Sequence, residues 1–259
     1  MKQWLILFKK EMVANFRDRK WIWVPIVLIL IAVVDPVVNY YLPEILDAVG
    51  GMPEGAVFEI PQITNIDAIQ LSFSQLSSLG VLIIALISMG TIASERRSGI
   101  AELILVKPVS YTSYILSKWA ALMLLVWVSY VLAMLFSWYY IGVLYDFIPF
   151  GEFSLLTFFY GLWLTLVVTV SIFYNTLFRS SGLVAFSTLA TLIIMSIVTG
   201  LFGDKLKYSP NNLSSHAYEM LYTGEIPGAL LASAGVTIFI CMILLVLSVY
   251  FFKNKEHAG

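Results

Sequence analysis

The sequence predicts an all-α, polytopic membrane protein: six transmembrane helices, an N-terminal amphipathic interfacial helix and a short cytoplasmic coupling helix. Three observations predict it. The chain is 60% hydrophobic and only 12% charged, with a mean hydropathy of +0.89, whereas a soluble domain carries about a quarter charged residues. Six of its apolar runs approach the roughly 20 residues a helix needs to cross a bilayer. Its Lys and Arg residues are distributed very unevenly among the connections between those runs. Lipid offers peptide groups no hydrogen-bond partners, so spanning runs of this kind fold as helices. The whole chain, 1–259, reads as a single transmembrane domain.

Residues 1–20 precede the first run. At 100° per residue, Trp4, Leu5, Phe8, Met12 and Phe16 fall on one arc, and Lys2, Lys9, Lys10 and Arg17 on the neighbouring and opposite one. This predicts a helix in the headgroup plane, with Trp4, Phe8 and Met12 toward lipid and Lys9, Lys10 and Arg17 beside anionic headgroups. A basic flank that only fixes topology is the plainer alternative. No small-residue cleavage site follows the first apolar run, so the segment is expected to stay attached as the lead into a first membrane helix.

The predicted spans are 21–38, 73–93, 119–141, 155–177, 182–201 and 229–251. The first is the least regular, with Pro25 near its start and Asp35-Pro36 near its end, since Pro is tolerable near the first turn of a helix and disruptive further in. Trp21, Trp23, Tyr40, Tyr41, Trp119, Trp138, Tyr139 and Tyr140 lie near span ends, as interfacial anchors do. Thirteen of the 15 Lys and Arg residues fall on the side that holds both termini, and only Lys205 and Lys207 on the other. The positive-inside rule then predicts a multi-pass protein of the cell membrane with both termini in the cytoplasm. Of the outer connections, 39–72 contains a short helix pattern after Pro43. That at 202–228 contains the turn Ser209-Pro210-Asn211-Asn212, then a short interfacial or re-entrant helix.

The loop 94–118 opens with SERRSGIAELILVKPVS. Ser98 is placed to cap a helix whose first turn includes Glu102, a favourable site for an acid. Ile100, Leu103 and Ile104 share one face, and Pro108 stops the helix. Ser110 or Thr112 is placed to cap the next. By pattern alone, a docking helix and a helix that merely lies on lipid are equally consistent with this stretch.

Glu95-Arg96-Arg97-Ser98-Gly99, then Glu102-Leu103 and Leu105, Lys107-Pro108-Val109-Ser110 and Lys118, resemble the signature of the ABC type-2 permeases. These are the membrane subunits of ATP-binding-cassette exporters, among them the permease of nitrous-oxide-reductase maturation. The resemblance implies that 94–118 is a coupling loop docking on a separate ABC ATPase, with Glu95, Arg96, Arg97 and Glu102 as polar contacts and Gly99 and Pro108 shaping the backbone. It also implies a second permease copy or a related permease, and ATP and Mg bound by the partner rather than by this chain. Arg179 is either a further contact or a topology-setting cation. The family usually has Thr where Ile100 stands and a basic residue where Tyr111 stands, which leaves the substrate open.

The exclusions agree. The chain has no G-x-x-x-x-G-K-[ST] phosphate loop, so it is not itself an ATPase of that kind and is not read as an enzyme. Its spans lack the carboxylates and His of ion-coupled carriers. His216 and His257 lie in connections, Cys241 is single, and a metal site is not expected. A net charge of -1 gives no basis for a nucleic-acid partner. Small and hydroxyl residues within the spans, Asn175 and Thr176 among them, fit helix packing or a route for an amphipathic cargo. A transporter subunit is therefore the first expectation, and a non-transporting scaffold or sensor tied to the same ATPase the second.

Overall fold

The computed structural model describes residues 2–48, 63–105 and 109–257. Helix α1 (Lys2–Arg17) is joined to α2 (Lys20–Tyr40) by an elbow at Asp18-Arg19, where Arg19 takes a left-handed conformation with φ 56°. Then follow α3 (Leu42–Ala48), α4 (Asn65–Gln75), a π-helical turn (Leu76–Gly80) and α5 (Val81–Ser88). After a break come α6 (Ala93–Arg97) and α7 (Ile100–Leu105), then α8 (Tyr111–Leu144), α9 (Phe150–Leu177), α10 (Ser181–Phe202), α11 (Leu213–Thr223) and α12 (Gly228–His257). Among the described residues six helical stretches are long and apolar enough to cross a membrane: Lys20–Tyr40, Asn65–Arg97, Tyr111–Leu144, Phe150–Leu177, Ser181–Leu206 and Gly228–Asn254. Each contains one of the six expected runs, and several extend beyond it, because α4, α6 and the start of α8 continue past the hydrocarbon-length core.

Local chemistry sets the ends. Thr64 and Asp67 form a reciprocal capping box that starts α4, and the Ser110 hydroxyl accepts the Ser113 N–H to start α8. Gly224, with φ 71°, closes α11 in the left-handed conformation glycine adopts without cost. Pro25 and Pro36 both lie inside α2, which continues through them to Tyr40 although each removes a backbone donor.

α8 and α9 form the centre. Trp119, Trp127 and Tyr130 on α8 donate to Thr169 Oγ1 (3.0 Å), Thr165 Oγ1 (3.1 Å) and the Thr157 carbonyl (2.8 Å) on α9. Such bonds between membrane helices fix rotation and depth as well as adding modest stability. The middle of the second span joins this centre through Ser72–Ser137 and Ser77–Tyr160 contacts. α11 buries Leu213, Ala217, Met220 and Leu221 against the bundle, and the Tyr222 hydroxyl donates to Asp67 Oδ1 (3.0 Å). α2, α10 and α12 are peripheral, with large exposed apolar side chains such as Phe186, Leu201 and Val246, the surface a bilayer solvates.

Candidate functional site

The end of the bundle that carries α1, α6 and α7 brings together the sequence's densest charge. α1 packs along α8. Its Trp4 and Phe8 rings stack at 5.2 Å, while Lys9 and Arg17 are exposed. Lys10, expected beside lipid headgroups, instead turns its ammonium to Glu95 Oε1 (2.6 Å) and Glu11 Oε1 (3.2 Å). Lys118 completes a ring of four charges, 2.8 Å from Glu11 Oε1 and 2.9 Å from Glu95 Oε2, with only 2% of its side chain exposed. The Tyr114 hydroxyl donates to Glu95 Oε2 (2.6 Å), and the Lys118 ammonium also lies over the Tyr114 ring. Two acids balance two bases, which is the condition for holding charges out of water. Partial burial disfavours the Lys10 ammonium. Its hydrogen bond to Glu95 and the fields of Glu11 and Glu95 outweigh that and raise its pKa above the ordinary lysine value.

Glu95 is therefore not a free outward contact. It clasps α1, α6 and α8 together, because its two oxygens are already occupied by two lysines and a tyrosine. Arg96 also points inward. Its guanidinium donates to the Thr176 carbonyl at the end of α9 (2.8 Å) and stacks over Phe252 of α12, and the residue is 6% exposed.

Between α5 and α6 the second span is broken at residues 89–92, and Asn175 of α9 fills the gap. Its Oδ1 accepts the N–H groups of Ile92 and Ala93, both at 3.0 Å. Its Nδ2 donates to the carbonyls of Ser88 (3.0 Å) and Ser171 (2.9 Å). One amide thus serves the last turn of α5, the first turn of α6 and its own helix. Backbone groups at such a break need partners inside the protein. Asn175 was legible only as a small polar residue at a span end; the cue to its role is that it is the one amide in a run otherwise apolar or hydroxylated.

The outward residues of the loop are Arg97, Ser98, Ile100, Glu102 and Leu103, the last 72% exposed. Gly99, with φ 74°, makes the turn from α6 to α7 that a side chain would strain. Ser98 does not cap α7. Its hydroxyl donates back to the Ser94 and Glu95 carbonyls and closes α6 instead. Ile100, Leu103, Ile104 and Val109 on one side, and Gln3, Ile6 and Leu7 of α1 on the other, enclose a groove of about 520 Å³ with Lys10 at its edge. Arg179 is exposed in the turn between α9 and α10. Pro108 and Lys107 lie outside the described residues. No cluster of metal-ligating side chains occurs among the described residues.

The fold and this face define a class: a multi-pass helical membrane protein with an amphipathic helix and a loop helix clasped at one end of its bundle. The chain belongs to the ABC-2 family of transporter proteins, whose model matches residues 5–257. It is also similar to an uncharacterised transmembrane protein of Bacillus subtilis (strain 168), YxlG, at 29% identity over 256 residues, covering 99% of each chain. The family match makes this a membrane permease component of an ABC transporter rather than a catalytic subunit, and it supports the resemblance at the level of the family.

Proposed function

We propose that this chain is the permease subunit of an ATP-driven exporter and that the α1–α7 groove is where a separate ABC ATPase docks. The observation that carries the reading is the exposed apolar face of α7, continuous with Ile6 of α1, flanked by Arg97 and Glu102 and set directly beside the buried charge ring. An apolar centre formed by Ile100, Leu103 and Ile6 with a charged rim matches the apolar core and polar rim of protein interfaces. The charge asymmetry of the connections supports a cytoplasmic position for this face and both termini, with ATP and Mg held by the partner in this reading. Six spans supply half a pathway, and a second permease copy or a related permease supplies the rest.

In this mechanism, closure of the ATPase pair displaces α7. Gly99 turns that displacement into α6, and the charge ring passes it to α1 and α8. The break at 89–92 is where α6 changes angle relative to α5 while Asn175 keeps its backbone groups satisfied. The driving energy is the partner's differential contact with two arrangements of this face.

Co-expression with an ABC ATPase tests the reading. The wild-type chain is expected to retain the ATPase through purification, and Leu103→Asp to lose it while still inserting in the membrane. Retention unaffected by Leu103→Asp counts against docking in this groove. Retention without any ATP-dependent movement of solute in liposomes makes the chain a scaffold.

A further inference from the structure

A second cavity, of about 570 Å³, opens at the α1–α2 elbow on the other side of the charge ring. Its depth is graded by charge. At the floor, Glu11, Glu95 and Lys118 are almost enclosed and satisfy one another. At the mouth, Asp18 and Lys20 face each other at 3.8 Å, with 62% and 25% of their side chains exposed. That separation exceeds the roughly 2.7–2.9 Å of a charge-assisted hydrogen bond, so both groups keep capacity for a ligand. The residue between them, Arg19, is the only non-glycine with positive φ among the described residues. This strained elbow is what presents Asp18 and Lys20 at one opening.

The walls are apolar: Leu86 and Ile87 from α5 and Leu122 from α8, with the Trp23 indole at the side. The cavity also reaches the broken segment at Gly90 and Thr91, and irregular backbone at membrane depth is found where it borders protein or a polar cavity. The volume lies within the range of small-molecule sites, and the lining has their character, mostly apolar with a few convergent polar groups.

We propose that this cavity binds the headgroup of a phosphoethanolamine lipid, its phosphate on Lys20, its ammonium on Asp18 and the start of an acyl chain along Leu86, Ile87 and Leu122. The charges choose the class. Glu11 and Glu95 are already balanced by Lys10 and Lys118, so the mouth is left with one carboxylate, Asp18, beside one ammonium, Lys20, a balance that matches a zwitterion better than a purely anionic headgroup. A quaternary ammonium donates no hydrogen bond and is held by several aromatic faces, whereas the mouth offers hydrogen-bonding groups, Asp18, Asn15 and Ser94, beside a single indole. A primary ammonium uses all of these. The site stands independently of whether an ATPase docks on the opposite groove.

The test is native mass spectrometry of the full chain in detergent. It is titrated with phosphatidylethanolamine, phosphatidylglycerol and phosphatidylcholine of identical acyl chains, and with water-soluble glycerophosphoethanolamine. Phosphatidylethanolamine is expected to be retained about tenfold more tightly than the other two lipids, the worth of one well-placed charge-assisted hydrogen bond. Asp18→Asn and Lys20→Gln are each expected to remove most of that preference. Because Asp18 is exposed and the Lys20 side chain is partly open at the mouth, these variants should unfold at the wild-type temperature without added lipid. Equal retention of the three lipids, or a preference that survives the double substitution, overturns the proposal and leaves ordinary annular lipid. Glycerophosphoethanolamine binding as tightly as the lipid overturns the assignment to a membrane ligand.

Discussion

Lys118 Nζ lies 2.9 Å from Glu95 Oε2, joining the start of α8 to α6 through a pair almost closed to water. The same ammonium reaches Glu11, so one lysine links three helices. Removing one member of such a network leaves the opposite charges buried and uncompensated, at a cost of about 3–5 kcal/mol for a well-buried pair. Lys118→Met is therefore expected to lower the thermal midpoint in detergent markedly. Adding Glu11→Gln restores charge balance around Lys10 and Glu95 and should recover part of the loss, with about 1–3 kcal/mol of coupling in the double-mutant cycle. A midpoint unmoved by Lys118→Met would show that the ring holds nothing.

The Lys10 member has a defined pH signature. Its folded pKa is raised above the ordinary 10.5, so its stabilising contribution is complete below that value and is lost as pH rises through the higher folded one. The difference in thermal midpoint between wild type and Lys10→Met should accordingly be constant from neutral pH to about pH 9. It should narrow only at more alkaline pH. A difference that already collapses near neutrality would contradict the assigned pairing.

Asn175 makes a sharper case, because its two ends do different work. Asn175→Leu deprives Ile92 and Ala93 of an acceptor and Ser88 of a donor in a buried site, and about 1–3 kcal/mol for each buried group left unsatisfied makes this a severe variant. Asn175→Asp keeps the acceptor for both amides but loses the donor. Hydrogen exchange distinguishes them: the Ile92 and Ala93 amides should exchange much faster in the Leu variant and stay protected in the Asp variant.

That residue also shows where the sequence ceases to be legible. The six apolar runs, the amphipathic pattern of α1 and the Ser110 cap are local signals, and the helices stand where those signals lie. The break at 89–92 is not local: Met89-Gly90-Thr91-Ile92 continues an apolar run, and the group that makes the interruption tolerable comes from a residue more than eighty positions away. Glu95 and Arg96 read as surface charges because they flank a span. Their inward placement depends on Lys10, Lys118 and the Thr176 carbonyl arriving from three other helices, which no periodicity records. Arg97, Glu102 and Leu103 are exposed, while their pattern alone is equally consistent with docking and with lying on lipid.

Gly161 tests the central α8–α9 contact. A Cβ there would overlap the Trp127 ring, whose indole N–H is fixed on Thr165 one turn further along α9. Overpacking of this kind costs about 1–3 kcal/mol, so Gly161→Ala should lower the thermal midpoint, and Trp127→Phe in the same chain should return part of it. If Gly161→Ala is silent, the ring has room the packing does not show.

Docking and transmission are separable on this face, because the clasp is built from the side chains of Lys10, Glu11, Glu95 and Lys118, whereas Arg97 and Glu102 lie on the exposed rim. Exchanging the charges of Arg97 and Glu102 (Arg97→Glu with Glu102→Lys) alters only the exposed rim. Its expected effect is on association: about tenfold weaker retention of a co-expressed ABC ATPase, the scale of one lost interfacial contact, with an unchanged thermal midpoint. Asn175→Asp should do the reverse. The ATPase is retained as in wild type, while the response of its hydrolysis rate to the permease falls, because the groove is intact and the joint behind it has lost its bonds to Ser88 and Ser171. Measuring retention and hydrolysis on the same preparations distinguishes the two. Loss of retention in the Asn175 variant, or full retention in the charge-exchange variant with impaired hydrolysis, would reverse the assignment of docking to the rim and transmission to the clasp.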